Sequence, residues 1–195
     1  METPYTSPSE LSHPEPALIP ASMSDVDDIR NIMQEASGFK KSRGDDLWGD
    51  EPFTDEEVGR MIISGNMYVH KIDGVIAASV ILLSNDERMW GEDQGADDTA
   101  LYVHKLVTGD SFRGQNLGVT VLSLAEELGR KIGKTRLRLD CPYDNEVLYG
   151  YYIKQGFHEV RRYERPSSPG RRNLDKDVFR AALLEREIAG SAPAS

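Results

Sequence analysis

Hydrophobic residues along this chain follow two rhythms, and the switches between them mark its elements. Leu18–Ser22 predicts a short first strand. Val26, Ile29, Met33 and Ala36 then recur at helical spacing, with Ser24 as the cap and Asp27 completing it. Phe39–Phe53 is a polar stretch carrying Trp48. Thr54-Asp55-Glu56-Glu57 is a capping box, opening a second helix that bears Val58, Met61 and Ile62. Met67–Ile72 and Val75–Leu83 are β-rich runs joined by Asp73-Gly74. That link predicts a type I′ hairpin, because both central residues need positive φ. Ser84–Thr99 is a long acidic loop with Trp90, and Leu101–Thr108 is the next strand.

The second half continues in the same way. Leu117, Val121, Leu124, Leu128 and Ile132 form one helical stripe ending at Gly133. In Arg136–Cys141 the alternation puts Leu137, Leu139 and Cys141 on one face and Arg136, Arg138 and Asp140 on the other. Asp144 or Asn145 opens a short helix that stops at Gly156, and Phe157–Tyr163 reads as a strand. Arg165–Asn173 is a Pro/Gly/Arg loop. For Val178–Ile188 the local propensity is helical. The elements predict one α+β domain, with a mixed sheet and helices on both faces.

One turn stands out. Arg113-Gly114-Gln115-Asn116-Leu117-Gly118 opens straight into the long helix. A turn feeding a helix N-terminus offers several backbone N–H groups to one anion, and the helix dipole favours negative charge there. A phosphate-bearing ligand is therefore expected at Arg113–Val119.

Composition narrows the class. The chain has 195 residues, enough for one real core plus tails. Residues 1–16, with four prolines, read as a disordered N-terminal tail; 17–188 reads as the domain and 189–195 as a second tail. The longest nearly apolar run, Val75–Leu83, is too short to span a bilayer, and no signal-peptide pattern is visible. A single Cys141 rules out an internal disulfide, and two-Cys zinc patterns are missing, so no metal is expected. These features predict a cytoplasmic protein with no membrane partner. The net charge of −10 argues against nucleic-acid binding. Acids crowd into Asp45–Glu57 and Asp86–Asp98, bases into Arg113, Arg130, Lys131, Lys134, Arg136 and Arg138. Either these are solvated surfaces, or the bases attract an anionic cofactor while the acids attract a cationic substrate.

Leu106–Phe157 resembles the acyl-CoA-binding core of the GCN5-related N-acetyltransferase (GNAT) superfamily. Arg113, Leu117 and Gly118 fit its Q/R-x-x-G-x-G/A turn, with Asn116 in place of the middle glycine. Asn is the non-glycine residue that best tolerates a left-handed backbone. Asn145, then Tyr152 seven residues on, then Gly156-Phe157 fit the second signature. Met89–Asp93 and Ala100–Leu106 also resemble bacterial members that act on small amines.

The resemblance implies a mixed, mostly antiparallel sheet of six to seven strands, splayed between central strands, with about four helices on both faces. It also assigns Arg180–Ile188 to a closing strand, against propensity. It implies acetyl-CoA as cosubstrate and an N-acetyltransferase acting on a small-molecule primary amine by direct attack in a ternary complex, with a homodimer as the common assembly. A protein or peptide N-acetyltransferase and an inactive CoA-binding sensor module are the rivals.

By the same resemblance, the backbone of Leu106, Val107 and Thr108 pairs with the pantetheine arm as an added strand. The amides of Arg113, Gly114, Gln115, Asn116, Leu117, Gly118 and Val119 hold the pyrophosphate, with Arg113 adding charge. Asn145 contacts the pantetheine side, caps its helix, or both. Tyr152 is the candidate general acid for the departing thiolate. A core role beside Leu148 competes with that reading, and Tyr149 and Tyr151 compete for the acid role. The attacking amine must lose a proton, since an alkyl ammonium has a pKa of about 10.4. His104 is the candidate base, with a satisfied strand histidine as the plain alternative; Glu92 and Asp93 could act through water. Trp48 and Trp90 either border the acceptor through cation–π contact or form a small loop core. Cys141 reads as a buried strand-end residue.

Overall fold

The Asp73-Gly74 link closes as a type I′ turn, with φ of 50° and 81°, and it fixes the first pairing of a sheet. The computed structural model describes residues 16–42, 53–91, 95–166 and 178–190. Trp48, Glu92, Asp93 and His13 lie outside them, as do nearly all of the two expected tails.

In chain order the strands are β1 (Ile19–Pro20), β2 (Met67–Ile72), β3 (Val75–Leu83), β4 (Ala100–Thr108), β5 (Arg136–Cys141), β6 (His158–Pro166) and β7 (Val178–Glu187). The helices are α1 (Val26–Ser42), α2 (Asp55–Ile63), α3 (Glu87–Trp90), α4 (Leu117–Lys131) and α5 (Glu146–Lys154), with 3-10 turns at Met23–Asp25 and Asp110–Phe112. The described strands form one seven-stranded sheet in the order β1-β2-β3-β4-β5-β7-β6. Its pairings are antiparallel, except the parallel one between β4 and β5.

Helices cover both faces. Ile29, Met33, Val58 and Ile62 of α1 and α2 pack with Met67, Val69 and Ile76. On the opposite face Val121, Leu122 and Ala125 of α4 pack with Leu101, Val103, Leu137 and Leu139, and α5 adds Leu148 and Tyr152. Each fully buried Val, Leu, Ile or Met among them contributes roughly 1.5–3 kcal/mol. A third cluster joins Met89 and Trp90 to Ala100, Tyr102, Ala181 and Leu183. Strand alternation places it on the face away from α4.

Several boundaries depart from the sequence expectation. The first cap is not Ser24. Ser22 and Asp25 form the box instead, because Asp25 also binds Lys71 Nζ at 2.8 Å from β2. α1 runs on to Ser42, into the segment expected as loop. The acidic loop contains the single turn α3. The expected C-terminal tail starts tethered: Ala189 N–H donates to Glu126 and its carbonyl accepts from Arg130 Nε. β7 is a strand, as the family resemblance implied and helical propensity did not.

β4 and β5 pair only from Ala100↔Arg136 to Val103↔Leu139. β3 nevertheless follows β4 to Thr108, and β7 follows β5 to Cys141. The central strands therefore part after Val103. The cause is a bulge in β4. The β3 register steps from Ser79↔Val107 to Ile81↔His104, so Lys105 and Leu106 share the position opposite Val80. Lys105 takes φ 47°. A bulge bends its strand, which swings His104–Thr108 away from β5 and leaves one edge of that segment outside the parallel ladder.

Candidate functional site

The turn before α4 presents backbone amides at a helix N-terminus. Asn116 sits at φ 54°, ψ 27°, the left-handed region that its substitution for glycine required. Its carbonyl accepts from the N–H groups of Val119 and Thr120, at 2.9 and 3.2 Å. The amides of Leu117 and Gly118 open the helix and have no intrahelical acceptor by geometry. They point outward at the positive end of the dipole. Arg113 is committed sideways: Nη2 meets Asp110 Oδ1 at 2.6 Å, and the guanidinium lies 3.7 Å over the Phe39 ring of α1. Gly118 has a further reason to be glycine, since a Cβ there would overlap the Tyr151 hydroxyl.

The splay leads to this turn. The edge of Leu106, Val107 and Thr108 that faces away from β3 has no β5 partner, so an extended arm can add there as a strand. Asn145 caps α5, its Oδ1 accepting from Leu148 N–H at 3.0 Å. That is the capping role expected from its position.

Tyr152 packs edge-on to Tyr151 and Phe157, with centroids 5.3 and 5.8 Å away. Burial, with smaller effects from Cys141, Tyr151 and Asp140, pushes its phenol pKa well up. The ring therefore keeps its proton through the neutral range. Tyr149 is spoken for, its hydroxyl donating to Glu159 at 3.0 Å. Cys141 is buried at the end of β5, as expected.

His104 and Asp140 are the first residues of β4 and β5 beyond the last paired position. They project to one face and meet there: Nδ1 lies 3.6 Å from Asp140 Oδ1. On the other edge of the ring, Nε2 lies 3.1 Å from Asp86 Oδ2, at ion-pair distance and not as an aligned hydrogen bond. Burial alone would lower the imidazole pKa. The Asp86 contact and the charges of Asp140 and Asp86 outweigh it, and the value is raised. The ligand atoms of the three residues lie within 4.8 Å of one another, a spacing also open to a cation. Sequence reasoning missed Asp86 and Asp140 as partners of His104. The available signals were the polar face of Arg136–Cys141 and the acidic run itself.

At two places the sequence left alternatives open, and the geometry shows packing and pairing within the fold. Trp90 does not offer a free face to a cationic ligand. It is 1% exposed, and Arg138 lies 4.7 Å over its ring. Nor do the bases after the turn form an open field for a cofactor. Arg138 is 3% exposed, donating to Glu185 Oε2 at 2.7 Å and Tyr102 Oη at 3.1 Å and pairing with Asp97 at 3.1 Å. Arg136 meets Asp97, Lys134 donates to the Asp98 carbonyl, and Lys131 pairs with Glu127. The acidic loop and the basic strand thus neutralise each other. His70 is a structural residue, 3.1 Å from the Ala17 carbonyl.

A seven-stranded sheet that parts between β4 and β5, a turn with outward amides before α4 and a phenol on α5 are the parts expected of an acyl-CoA-dependent transferase. The family model described as Acetyltransferase (GNAT) family matches residues 27–157. A Bacillus subtilis protein described as the uncharacterized N-acetyltransferase YesJ is 31% identical over 144 residues, covering 71% of this chain and 79% of its own. A Listeria monocytogenes GNAT acetyltransferase structure superposes with a TM-score of 0.66 at 23% identity, covering 88% of this chain and 94% of that one. The Salmonella typhimurium protein yncA, a putative acetyltransferase solved with acetyl-CoA, gives 0.61 at 12% identity, over 93% and 98% of the two chains. The chain belongs to the GNAT acetyltransferase family, an acyltransferase family whose cosubstrate is acetyl-CoA. Among the described residues, no helix is long and apolar enough to cross a membrane.

Proposed function

We propose that this enzyme moves an acetyl group from acetyl-CoA to a primary amine of a small molecule, by direct attack in a ternary complex. One observation carries the reading. At the mouth of the splay, a protonated phenol and an imidazole–carboxylate group approach from opposite faces of the sheet. Tyr152 stands on the α4–α5 face, and His104 with Asp140 on the other. Transfer at an acyl carbon is served by this division. The leaving sulfur takes a proton from one side while the incoming nitrogen gives one up on the other.

The chain's residues fit the cosubstrate. The outward amides at Leu117 and Gly118, with the turn from Arg113 to Val119, would hold the pyrophosphate. The freed edge of Leu106, Val107 and Thr108 would hold the arm, and Asn145 borders it. Acetyl-CoA supplies an activated thioester. A backbone N–H on the freed edge would polarise its carbonyl, Tyr152 would protonate the sulfur and His104 would take the proton of the amine. The rise in the Tyr152 pKa does not bar this, because the same water-poor surroundings raise the basicity of a departing thiolate.

The acceptor side supports a small cationic substrate. Asp86 and Asp140 flank the imidazole, and the loop that carries Asp86 is fastened down. Its Trp90 and Met89 carbonyls accept from Arg161 Nη2 at 3.0 and 3.4 Å, and Arg138 stacks on Trp90. Thiol release measured with acetyl-CoA over panels of primary amines and of peptides tests the reading. The expected result is turnover with a small amine. Turnover confined to peptides would make it a protein acetyltransferase, and tight CoA binding with no turnover would make it a sensor module.

A further inference from the structure

His104 is held between two carboxylates, one at each ring nitrogen. The Asp86 side comes from a loop of fixed shape. Its amide donates to Gly95 O at 2.9 Å, and its carbonyl accepts from Met89 and Trp90 N–H at 3.2 and 3.0 Å. Gly95 packs so tightly on the Asp86–Glu87 backbone that any Cβ there would overlap it. Asp86 is 8% exposed, and its Oδ2 has no partner other than His104 Nε2 among the described residues. A buried carboxylate left so costs several kcal/mol unless a positive charge or a donor meets it. Asp140 differs. It stands at the crotch of the splay with its side chain 20% exposed, level with His104 on the diverging strand. Its charge also reaches Tyr152 on the far face. Asp140 therefore borders the opening between β4 and β5, beside the imidazole.

We propose that Asp140 receives the acceptor as its ammonium ion, and that Asp86 is a positioning residue which fixes His104 with Nε2–H toward itself and the Nδ1 lone pair toward that ammonium. This rests on the amine-acetylating reading above. The step balances. R–NH3+ lies against Asp140 and passes one proton to His104 Nδ1. The freed lone pair forms the C–N bond to the acetyl carbon while the C–S bond breaks. The departing electron pair goes to sulfur, which takes the Tyr152 proton, and the surplus proton of the new amide nitrogen restores the phenol. His104 later releases its proton to solvent. The sum is ammonium plus thioester giving amide, thiol and one proton. The charged groups facing His104 are Asp86 from the loop, Asp140 from β5 and Lys105 beside it on β4. Both carboxylates hold the imidazolium against burial and the smaller opposing effect of Lys105.

The test uses full-length protein saturated with CoA or acetyl-CoA, in wild type, Asp86→Asn and Asp140→Asn. For kinetics, the acceptor is the best amine from the panel. His104 must be neutral to act, so the acidic limb of kcat/KM reports its titration. Removing the Asp86 charge should move that limb to lower pH and lower the plateau, with acetyl-CoA affinity unchanged. A merely structural role would lower the plateau without moving the limb. Asp140→Asn should raise the amine KM about ten- to hundredfold, the scale of a lost charged hydrogen bond, again without a change for acetyl-CoA. In parallel, NMR titration of the labelled His104 ring in the CoA complex should show a drop in each variant. An unmoved limb or an unmoved ring titration in Asp86→Asn overturns the proposal. So does an unchanged amine KM in Asp140→Asn, or stoichiometric zinc uptake on which activity depends. If no amine in the panel turns over, the functional reading fails, and the ring titration alone still decides whether Asp86 and Asp140 govern His104.

Discussion

Asn116 shows how a single backbone angle decides a substitution. At φ 54° most side chains cost about 1–2 kcal/mol, and only glycine and, less fully, asparagine or aspartate are excused. Asn116→Ala should therefore lower stability by about 1 kcal/mol and weaken acetyl-CoA binding, whereas Asn116→Gly should leave both nearly unchanged; calorimetry with CoA checks this. Gly118 two residues on is constrained by a neighbour instead of by φ. Gly118→Ala must push the Tyr151 hydroxyl aside, so it should weaken CoA binding, and adding Tyr151→Phe should restore it. No recovery in the double variant would place the conflict elsewhere. At Tyr152 the expectation is kinetic. Tyr152→Phe should lower turnover about 10²–10⁴-fold with little change in acetyl-CoA affinity, and unchanged turnover would remove the phenol from the mechanism.

Among the elements, the loop between β3 and β4 depends most on partners distant in sequence. Its α3 is a single turn, too short to stand alone, and it is held through Trp90, Asp97 and Asp86 by residues of β5, β6 and β4. Arg138 is the centre, touching Trp90, Tyr102, Asp97 and Glu185. A buried arginine of this kind adds little net stability, yet removing it takes the nearest cation from Asp97 and Glu185 and leaves them Arg136 alone among the described residues, a loss of up to about 3–5 kcal/mol. Arg138→Met should show that loss in urea unfolding and raise amide exchange over residues 86–91. Arg138→Lys should recover part of it, because the charge remains while the planar fork is lost. β7 shows the same dependence in another form. Its alternate residues Ala181 and Leu183, then Ala182 and Leu184, enter two different cores. With both faces buried no period of two stands out, and the Ala/Leu/Glu/Arg composition reads as helix.

At the scale of the molecule, the titrating groups set a pH window for stability. In Asp25 burial acts upward on the pKa, but Lys71 and Ser22 outweigh it. In Asp97 burial is likewise outweighed, by Thr99, Arg138 and Arg136. Both folded values are lowered. Their contribution is present above the unfolded carboxylate pKa of about 3.9 and is lost as pH falls through the folded values. His104 has the opposite sign. Its folded pKa is raised, so its contribution is complete below the unfolded value of about 6.5 and fades as pH rises through the folded one. Thermal unfolding from acid to mildly alkaline pH should show both slopes. His104→Asn should abolish the alkaline decline and spare the acid one. A wild-type alkaline slope that survives in His104→Asn would remove the histidine from the balance.

The amino-acid sequence alone determined whatever depends on neighbours within a few residues. The Asp73-Gly74 hairpin, the Thr54–Glu57 box, the left-handed Asn116 and the Asn145 cap are local chemistry, since a turn angle or a cap is satisfied within one turn of chain. With them came the family, the turn that opens α4 and the strand that precedes it. Tertiary structure decided where charges go. Trp90 and Arg138 are 48 positions apart in the chain, and burial of one required the other. Asp86, His104 and Asp140 come from a loop and two strands; the β4–β5 register sets His104 and Asp140 side by side on one face, and the folded loop brings Asp86 to the other edge of the ring. No spacing along the chain encodes that meeting. The strength of a charge pair depends on distance and burial, and both are properties of the folded sheet.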